Sequence, residues 1–370
     1  MTVYIIAWGL CLLALVVNRR GIEEHKTTFM ICLAGIMLFI FGFRDTAVGT
    51  DTAAYLRYLN LYQDYSIQEI LLESNWFRVL EPGFVALIKI ANQLNLTGRG
   101  FLVFIALVYV GLLCSFIARL RDDERYWVLF CFFSLYFPFF GLNAMRQALA
   151  CLVIMHTFID FRDSNYKRMV LEGIIAVLLH KGAIVPFGIM ILFSATRNAV
   201  PARYIQILTI FGSLIVVPFY GLVLGAINYT DYLGIGISEH ADISLTKLIL
   251  VAIVILLTLI NNGSIQQSNT HEKRASQSYV FVSTMIALTL ITTLAGGLSE
   301  MFIRVSQYCL LFLCYRLSEL AIDQQEDGND IETKHIVLGC ILICLTGYFF
   351  FSLSINSGGI VPFAFGGIVL

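Results

Sequence analysis

The sequence predicts an all-α fold: a polytopic transmembrane helical bundle of about 12 helices. Three observations carry that reading. Of 370 residues, 58% are apolar and only 13% charged, roughly half the charged share of a soluble domain. The mean hydropathy is +0.82. The apolar residues gather into long runs, several near the ~20 residues a helix needs to cross a bilayer. This composition excludes disorder, a coiled coil, a disulfide-stapled secreted module and a soluble enzyme. The net charge of −1 offers no basic excess, and no finger, helix-turn-helix or RNP pattern occurs, so no nucleic acid is expected as partner.

The elements follow in order. The runs at 3–17 and 28–43 open the chain. The first lacks a basic leader and a small-residue cleavage site and is followed by Asn18-Arg19-Arg20, so it is expected to remain as the first helix. An outer loop is expected at 44–81. The segment 82–94 is short and carries Lys89, which reads as a re-entrant or interfacial helix. Further spans are expected at 101–118, 127–142, 145–160, 169–195 (two short helices around His180) and 204–225. A second outer loop is expected at 226–244 and a span at 245–261. Spans at 279–297, 301–318 and 336–354 are separated by polar cytoplasmic linkers at 262–278 and 319–335. The whole of 1–370 reads as a single integral membrane domain, with no soluble module.

Orientation follows from the positive-inside bias. With 82–94 not crossing, the loops around Arg19, Lys26, Arg119, Arg121, Arg125, Arg162, Lys167, Arg168, Arg197, Arg203, Lys273 and Arg274 share one side. That side is the cytoplasm, and both termini are then extracytoplasmic. All nine cysteines lie inside apolar runs, no CxxC occurs and the six histidines are scattered. Neither a disulfide framework nor a metal site is expected. No nucleotide-binding glycine loop is present, and no cofactor is expected.

Charge at membrane depth costs several kcal/mol and marks function by default. Four places stand out. Phe43-Arg44-Asp45-Thr46-Ala47-Val48-Gly49-Thr50-Asp51 opens the first outer loop. It reads either as a sugar- or phosphate-binding rim or as a helix cap with a local Arg–Asp pair. Glu81-Pro82-Gly83-Phe84 is a good helix start, or a carboxylate held at the membrane surface. Asn143-Ala144-Met145-Arg146-Gln147 places Arg146 in the first turn of a helix, the wrong end of the dipole for a cation. An anionic partner would offset that cost: a diphosphate or an internal carboxylate. Snorkelling is the alternative. His180-Lys181 lies between two apolar stretches, where the imidazole is a base, a phosphate donor or a satisfied core residue. Arg304 is a further candidate, with Glu300 four residues before it.

Taken in order, FRDTAVGTDTAAY, EPGF, NAMRQALA and LLHKGAIVPF resemble the EpsG/Wzy-type exopolysaccharide and O-antigen polymerases. The resemblance runs from about residue 40 to 190, with an echo at Arg304-Val305-Ser306-Gln307-Tyr308. The sequence departs from the family pattern at Lys181-Gly182, where a polar-Ser pair is usual. The resemblance implies a GT-C-like, multi-pass glycosyltransferase of the bacterial inner membrane. It would move a growing glycan from undecaprenyl diphosphate to a new undecaprenyl-diphosphate-linked repeat unit at the outer face. A chain-length regulator would be its partner, and a flippase would act upstream. A lipid-linked oligosaccharide flippase and an O-antigen ligase are the rival readings. In this chemistry cations stabilise the leaving diphosphate; Arg146 and Arg304, with His180 or Lys181, are the candidates. The acceptor hydroxyl needs a base, for which Asp45, Asp51 and His180 stand. Arg44, Glu81, Asn143 and Gln147 complete the expected substrate-binding set. Because Arg146 opposes the dipole, Arg146→Ala is expected to leave the protein in the membrane.

Overall fold

The computed structural model describes residues 1–19, 26–73, 80–219, 245–261, 272–326, 331–365 and 368–369. It is built of helices: α1 (Thr2–Arg19), α2 (Lys26–Gly42), α3 (Thr52–Leu61), α4 (Ile67–Glu73), α5 (Pro82–Gln93), α6 (Gly98–Ala118), α7 (Asp122–Leu135) and α8 (Met145–Arg162). Then come α9 (Tyr166–Leu179), α10 (Ile184–Thr196), α11 (Ala202–Val216), α12 (Leu245–Asn261), α13 (Glu272–Leu294), α14 (Glu300–Glu326) and α15 (Ile331–Ser354). A two-residue antiparallel pair, Ala364–Phe365 with Ile368–Val369, closes the chain.

Among the described residues four stretches are long and apolar enough to cross a membrane: Gly98–Ala118, Gln277–Gly297, Met301–Ile322 and Ile336–Ser354. Thr2–Val17, Met30–Gly42, Lys181–Thr196, Ala202–Val216 and Leu245–Thr258 are apolar but shorter. At 1.5 Å per residue such helices fall below the ~30 Å hydrocarbon thickness. The all-α membrane architecture therefore stands. Twelve crossings and a GT-C-like arrangement remain expectations rather than a count these helices supply.

Several boundaries differ from the sequence reading. Within 44–81 the chain folds into α3 and α4 instead of a plain loop. The linker expected at 319–335 is mostly helical: α14 continues to Glu326 and α15 starts at Ile331. Polar side chains extend these helices past the apolar stretch, because hydropathy marks the span and not the helix end. The linker expected at 262–278 is helical from Glu272; its first ten residues, like the loop 226–244, lie outside the described residues. The 169–195 run is two helices broken at His180, as its length suggested.

The single domain expected over 1–370 is built of two compact units. Unit 1 comprises Met1–Glu73, Glu81–Leu152 and Leu317–Leu370; unit 2 comprises Ser74–Leu80 and Val153–Arg316. In unit 1, α1 packs on α2 and α7, α2 on α6, and α7 on α15. Its core is aromatic. Trp8 stacks on Phe349 at 5.6 Å and donates to the Ser134 hydroxyl at 3.0 Å, while Phe41 stacks on Tyr109 at 5.0 Å. Unit 2 centres on Phe281, which meets Phe158, Phe161, Phe193 and Phe312. None of the nine cysteines forms a disulfide.

After α7 the chain winds into a five-residue π-helical turn, Phe137–Gly141. Pro138 has no N–H and its ring would crowd the preceding turn, so the α-helix cannot run on. Gly141 is required there, since a Cβ would lie 2.9 Å from the Tyr109 hydroxyl. The turn delivers Leu142 and Asn143 to the start of α8.

Candidate active site

The first motif is a tight loop stitched from three distant parts of unit 1. Gly49 adopts φ +88°, and a Cβ on it would lie 2.9 Å from the Leu142 carbonyl; only glycine suits that approach. The Gly49 N–H donates to the Gly359 carbonyl at 2.9 Å, and the Asp45 N–H to the Ala364 carbonyl at 2.7 Å. The tail thus clamps the loop, and Tyr4 holds the tail by donating to the Ile360 carbonyl at 3.0 Å.

Arg44 is buried inside this knot. Nη1 donates to the Phe41 carbonyl at 2.6 Å and Nη2 to the Leu142 carbonyl at 2.9 Å. The guanidinium also lies 4.6 Å over the Phe41 ring. Burial pulls its pKa down to about 10, which still leaves it charged at neutral pH. No local pair with Asp45 forms: the donors of Arg44 go to these two carbonyls and, from Nη2, to the Thr52 hydroxyl at 3.4 Å. It bonds the end of α2 to the turn before α8. Asp45, half-buried, accepts from the Ala47 N–H at 3.2 Å and so closes its own turn.

Asn143 joins the first motif to the third. Its side-chain oxygen accepts from the Asp51 N–H at 2.9 Å and from the Thr50 hydroxyl at 2.7 Å. Asp51 stands at the start of α3, but its side chain makes no cap hydrogen bond. One helical turn later Tyr55, buried, lies under Arg146, whose guanidinium carbon is 6.0 Å from the ring centroid. Gln147 is buried beside Arg146 on α8.

Arg146 meets a carboxylate. Nη1 donates to Glu81 Oε2 at 2.6 Å, with the side chains 17% and 6% exposed. Of the two anionic partners the sequence left open, the structure supplies the internal carboxylate, contributed by the EPGF motif. Glu81 precedes Pro82 with extended backbone (φ −80°, ψ 147°) but makes no cap hydrogen bond. Its oxygen is given to Arg146 instead. Arg146 is thus neither snorkelling nor at odds with the dipole of α8: Glu81 offsets both costs. The same pair fixes α5. At 12 residues this helix is about 18 Å long, and Lys89 on it donates to the carbonyls of Tyr62, Gln63 and Tyr65 at 3.2, 3.1 and 2.6 Å. A lysine that looked misplaced in an apolar segment caps the end of α3.

Unit 2 holds the fourth motif. His180 ends α9, buried, with extended backbone (φ −160°, ψ 120°). Its Nδ1 accepts from the Gly182 N–H at 3.2 Å and lies 2.9 Å from the Tyr308 hydroxyl. Lys181 begins the short 3₁₀ turn that follows, half-buried. Arg304 stands one turn before Tyr308 on α14, also half-buried, so the two share a helix face. Among the described residues no three His, Cys, Asp or Glu side chains gather as a metal site.

Tyr55 and Tyr308 close two of the quoted motifs, FRDTAVGTDTAAY and Arg304-Val305-Ser306-Gln307-Tyr308, but sequence reasoning assigned them no role of their own. Each lies four residues after a candidate, Asp51 and Arg304, one helical turn on. The tail residues Gly359 and Ala364 carried no signal, because their role is through backbone atoms.

A model of the EpsG family matches residues 27–365, nearly the whole chain. No curated protein and no solved structure matches it. The family match takes in every motif from Arg44 to Tyr308, and the apolar helices are those of a multi-pass membrane protein of polysaccharide biosynthesis: the chain belongs to the EpsG family.

Proposed function

We propose that the protein is a bacterial surface-polysaccharide polymerase, working at the outer face of the inner membrane. It transfers the growing glycan from undecaprenyl diphosphate to a new lipid-linked repeat unit. The observation that carries this reading is the Arg146–Glu81 pair. It brings the EPGF and NAMRQ motifs together at a helix start, with a guanidinium held at one corner. The planar guanidinium suits two oxygens of a diphosphate at once, and the first N–H groups of α8 favour the same charge.

In the proposed step an acceptor hydroxyl oxygen attacks the anomeric carbon of the donor sugar. The bond from that carbon to the diphosphate oxygen breaks, and the diphosphate leaves with the electron pair. Arg146 stabilises the charge that develops on it; Arg304 and Lys181 are further cations for the lipid-linked anions. The hydroxyl proton goes to a carboxylate. Asp51 suits this role better than Asp45, whose carboxylate closes its own turn. Glu81 holds Arg146, while Asn143 and Arg44 hold the loop that carries Asp51.

Glycan profiling of a deletion strain tests the reading. A single repeat unit attached without a polymer ladder is the expected outcome. Loss of all attached glycan would indicate a flippase or ligase instead. Orientation is checked separately by cysteine probes in a cysteine-free background. Ser66→Cys should react with an impermeant thiol reagent from outside and Lys167→Cys should not. The reverse pattern would place the chemistry on the cytoplasmic side. A chain-length regulator and an upstream flippase are the partners this function requires.

A further inference from the structure

Asp51, the carboxylate proposed as base, rides on a loop that is held from far along the chain. The Asp51 N–H donates to Asn143 at 2.9 Å, and Asn143 follows directly on the π-helical turn Phe137–Gly141. The rest of the loop is held by residues 356–364, which follow α15. The Gly359 carbonyl accepts from the Gly49 N–H at 2.9 Å, and the Ala364 carbonyl from the Asp45 N–H at 2.7 Å. The three segments meet so closely that two glycines are needed. A Cβ on Gly358 (φ +79°) would clash with the Phe139 carbonyl, and one on Gly359 (φ +63°) would lie 3.0 Å from the Thr50 methyl. Residues 358–359 are thus wedged between the turn that supplies Asn143 and the loop that supplies Asp51.

A pair of glycines leaves a backbone with wide freedom, so something must give this segment its shape. That something is Asn356. It takes a left-handed conformation (φ +52°) just after α15, which asparagine adopts more readily than most side chains. Its Nδ2 donates to the Val361 carbonyl at 2.7 Å, and its Oδ1 accepts from the Val361 N–H at 2.7 Å. Both backbone groups of Val361 therefore go to one side chain, and residues 356–361 close into a ring. The Gly359 N–H donates to the Asn356 carbonyl at 3.0 Å inside it. Past the ring, buried Phe363 anchors the segment against Tyr4 and Phe39, with centroids 5.8 and 6.2 Å away. Asn356 itself is exposed, so its side chain serves the shape of the turn and not the core.

We infer that Asn356 is a positioning residue for the proposed reaction: by closing the turn 356–361 it aims the Gly359 carbonyl at the Gly49 N–H and so sets the place of Asp51. It acts through Gly359 and Gly49 and not by contact with the reacting groups. The role of Asp51 rests on the polymerase reading, whereas the junction of the three segments does not. All three belong to unit 1. The site is then completed from some 300 residues downstream of its first motif, through backbone atoms that one exposed side chain keeps in line.

Two substitutions at position 356 test this. Asn356→Gly keeps the left-handed backbone at no steric cost and removes both bonds to Val361. Asn356→Asp keeps the acceptor for the Val361 N–H and loses only the donor to its carbonyl. At matched amounts of folded protein, kcat for polymerisation should fall about tenfold in Asn356→Gly and by less in Asn356→Asp, with KM for the lipid-linked repeat unit unchanged. A merely structural turn would lower the folded fraction and leave kcat per folded molecule at the wild-type value, and that result would overturn the inference. So would a raised KM at unchanged kcat. Hydrogen exchange reads the junction without any turnover. The Gly49 amide should exchange about tenfold faster in Asn356→Gly, while the amides of α1 keep their protection. Unchanged exchange at Gly49 would overturn the inference whatever the activity. If Gly49 responds as expected and a deletion strain still makes its full polymer ladder, the polymerase reading fails and the junction does not.

Discussion

Arg146 is held by a carboxylate, His180 by an amide and a hydroxyl. In unit 1 the cation is fixed by an opposite charge drawn from 65 residues away, at 2.6 Å. In unit 2 the imidazole Nδ1 meets two neutral groups, the Gly182 N–H two residues along the chain and the Tyr308 hydroxyl. The two solutions differ in what a substrate meets. An ion pair has its charge already balanced, so an arriving anion competes with Glu81 for the guanidinium. His180 is instead positioned through Nδ1 by an amide and a hydroxyl, neutral contacts each worth less than a charge-assisted bond.

The largest expected effect comes from breaking the ion pair. Arg146→Ala should abolish the polymer ladder, a loss of about a hundredfold or more in rate for one preorganised charge stabiliser. The sequence alone suggested that this change would relieve the helix dipole and leave the protein intact. The structure corrects that expectation, because Glu81 would stay buried after losing the guanidinium that donates to it. Breaking such a pair costs roughly 3–5 kcal/mol, so protein levels should fall as well. The double variant Arg146→Ala/Glu81→Gln separates the two effects. It should recover much of the protein level and none of the ladder. A ladder from the double variant at matched protein levels would show that Arg146 is structural. Arg146→Lys keeps the charge but loses the planar fork, and a severe defect is expected.

How far this pair was legible in the sequence is instructive. The position of Arg146 against the dipole announced an anion, and Glu81 had been marked as a carboxylate beside a helix start. Nothing in the sequence joined them, since pairing across 65 residues is set by tertiary packing. Arg44 shows the opposite case. Its place beside Asp45 suggested a local pair, yet its donors go to the carbonyls of Phe41 and Leu142 and to the Thr52 hydroxyl. Backbone acceptors leave no trace in a sequence. The break at His180 was readable from the length of its apolar run, whereas its contact with Tyr308 was not, because Tyr308 comes 128 residues later.

A second, smaller effect sharpens the contrast between binding and holding. Gly49→Ala places a Cβ 2.9 Å from the Leu142 carbonyl at a φ of +88°; such strain costs of order 1–3 kcal/mol. Arg44→Lys gives up the fork that reaches two carbonyls at once, and charged hydrogen bonds of this kind are worth about 1.5–3 kcal/mol each. Both variants should lower Tm in detergent, and activity should fall only in proportion to the folded fraction. A loss of turnover in Arg44→Lys with Tm unchanged would move Arg44 from the scaffold into the substrate site.

The smallest effect concerns α4, which carries none of the proposed chemistry. Its start is a reciprocal cap: the Ser66 N–H donates to Glu69 Oε2 at 2.7 Å, and the Glu69 N–H to the Ser66 hydroxyl at 3.2 Å. Hydrogen bonding to the carboxylate from the Ser66 N–H, and after it from the Ser66 hydroxyl, holds the Glu69 carboxyl below its ordinary value. A depressed carboxylate contributes stability above its unfolded pKa, and that contribution fades as pH falls through the lower folded value. The cap should therefore be intact at neutral pH and open in acid. Hydrogen exchange at residues 66–73 reads it directly. Protection there should decline on acidification in the wild type, and Ser66→Ala should start from lower protection and show a flatter pH dependence. Since Glu69 is exposed and α4 has only seven residues, the polymer ladder should not change in this variant. A shortened ladder in Ser66→Ala would mean that α4 transmits strain to α5, on which it packs, and thence to Glu81. The holding of Arg146 would then depend on more of unit 1 than the ion pair alone.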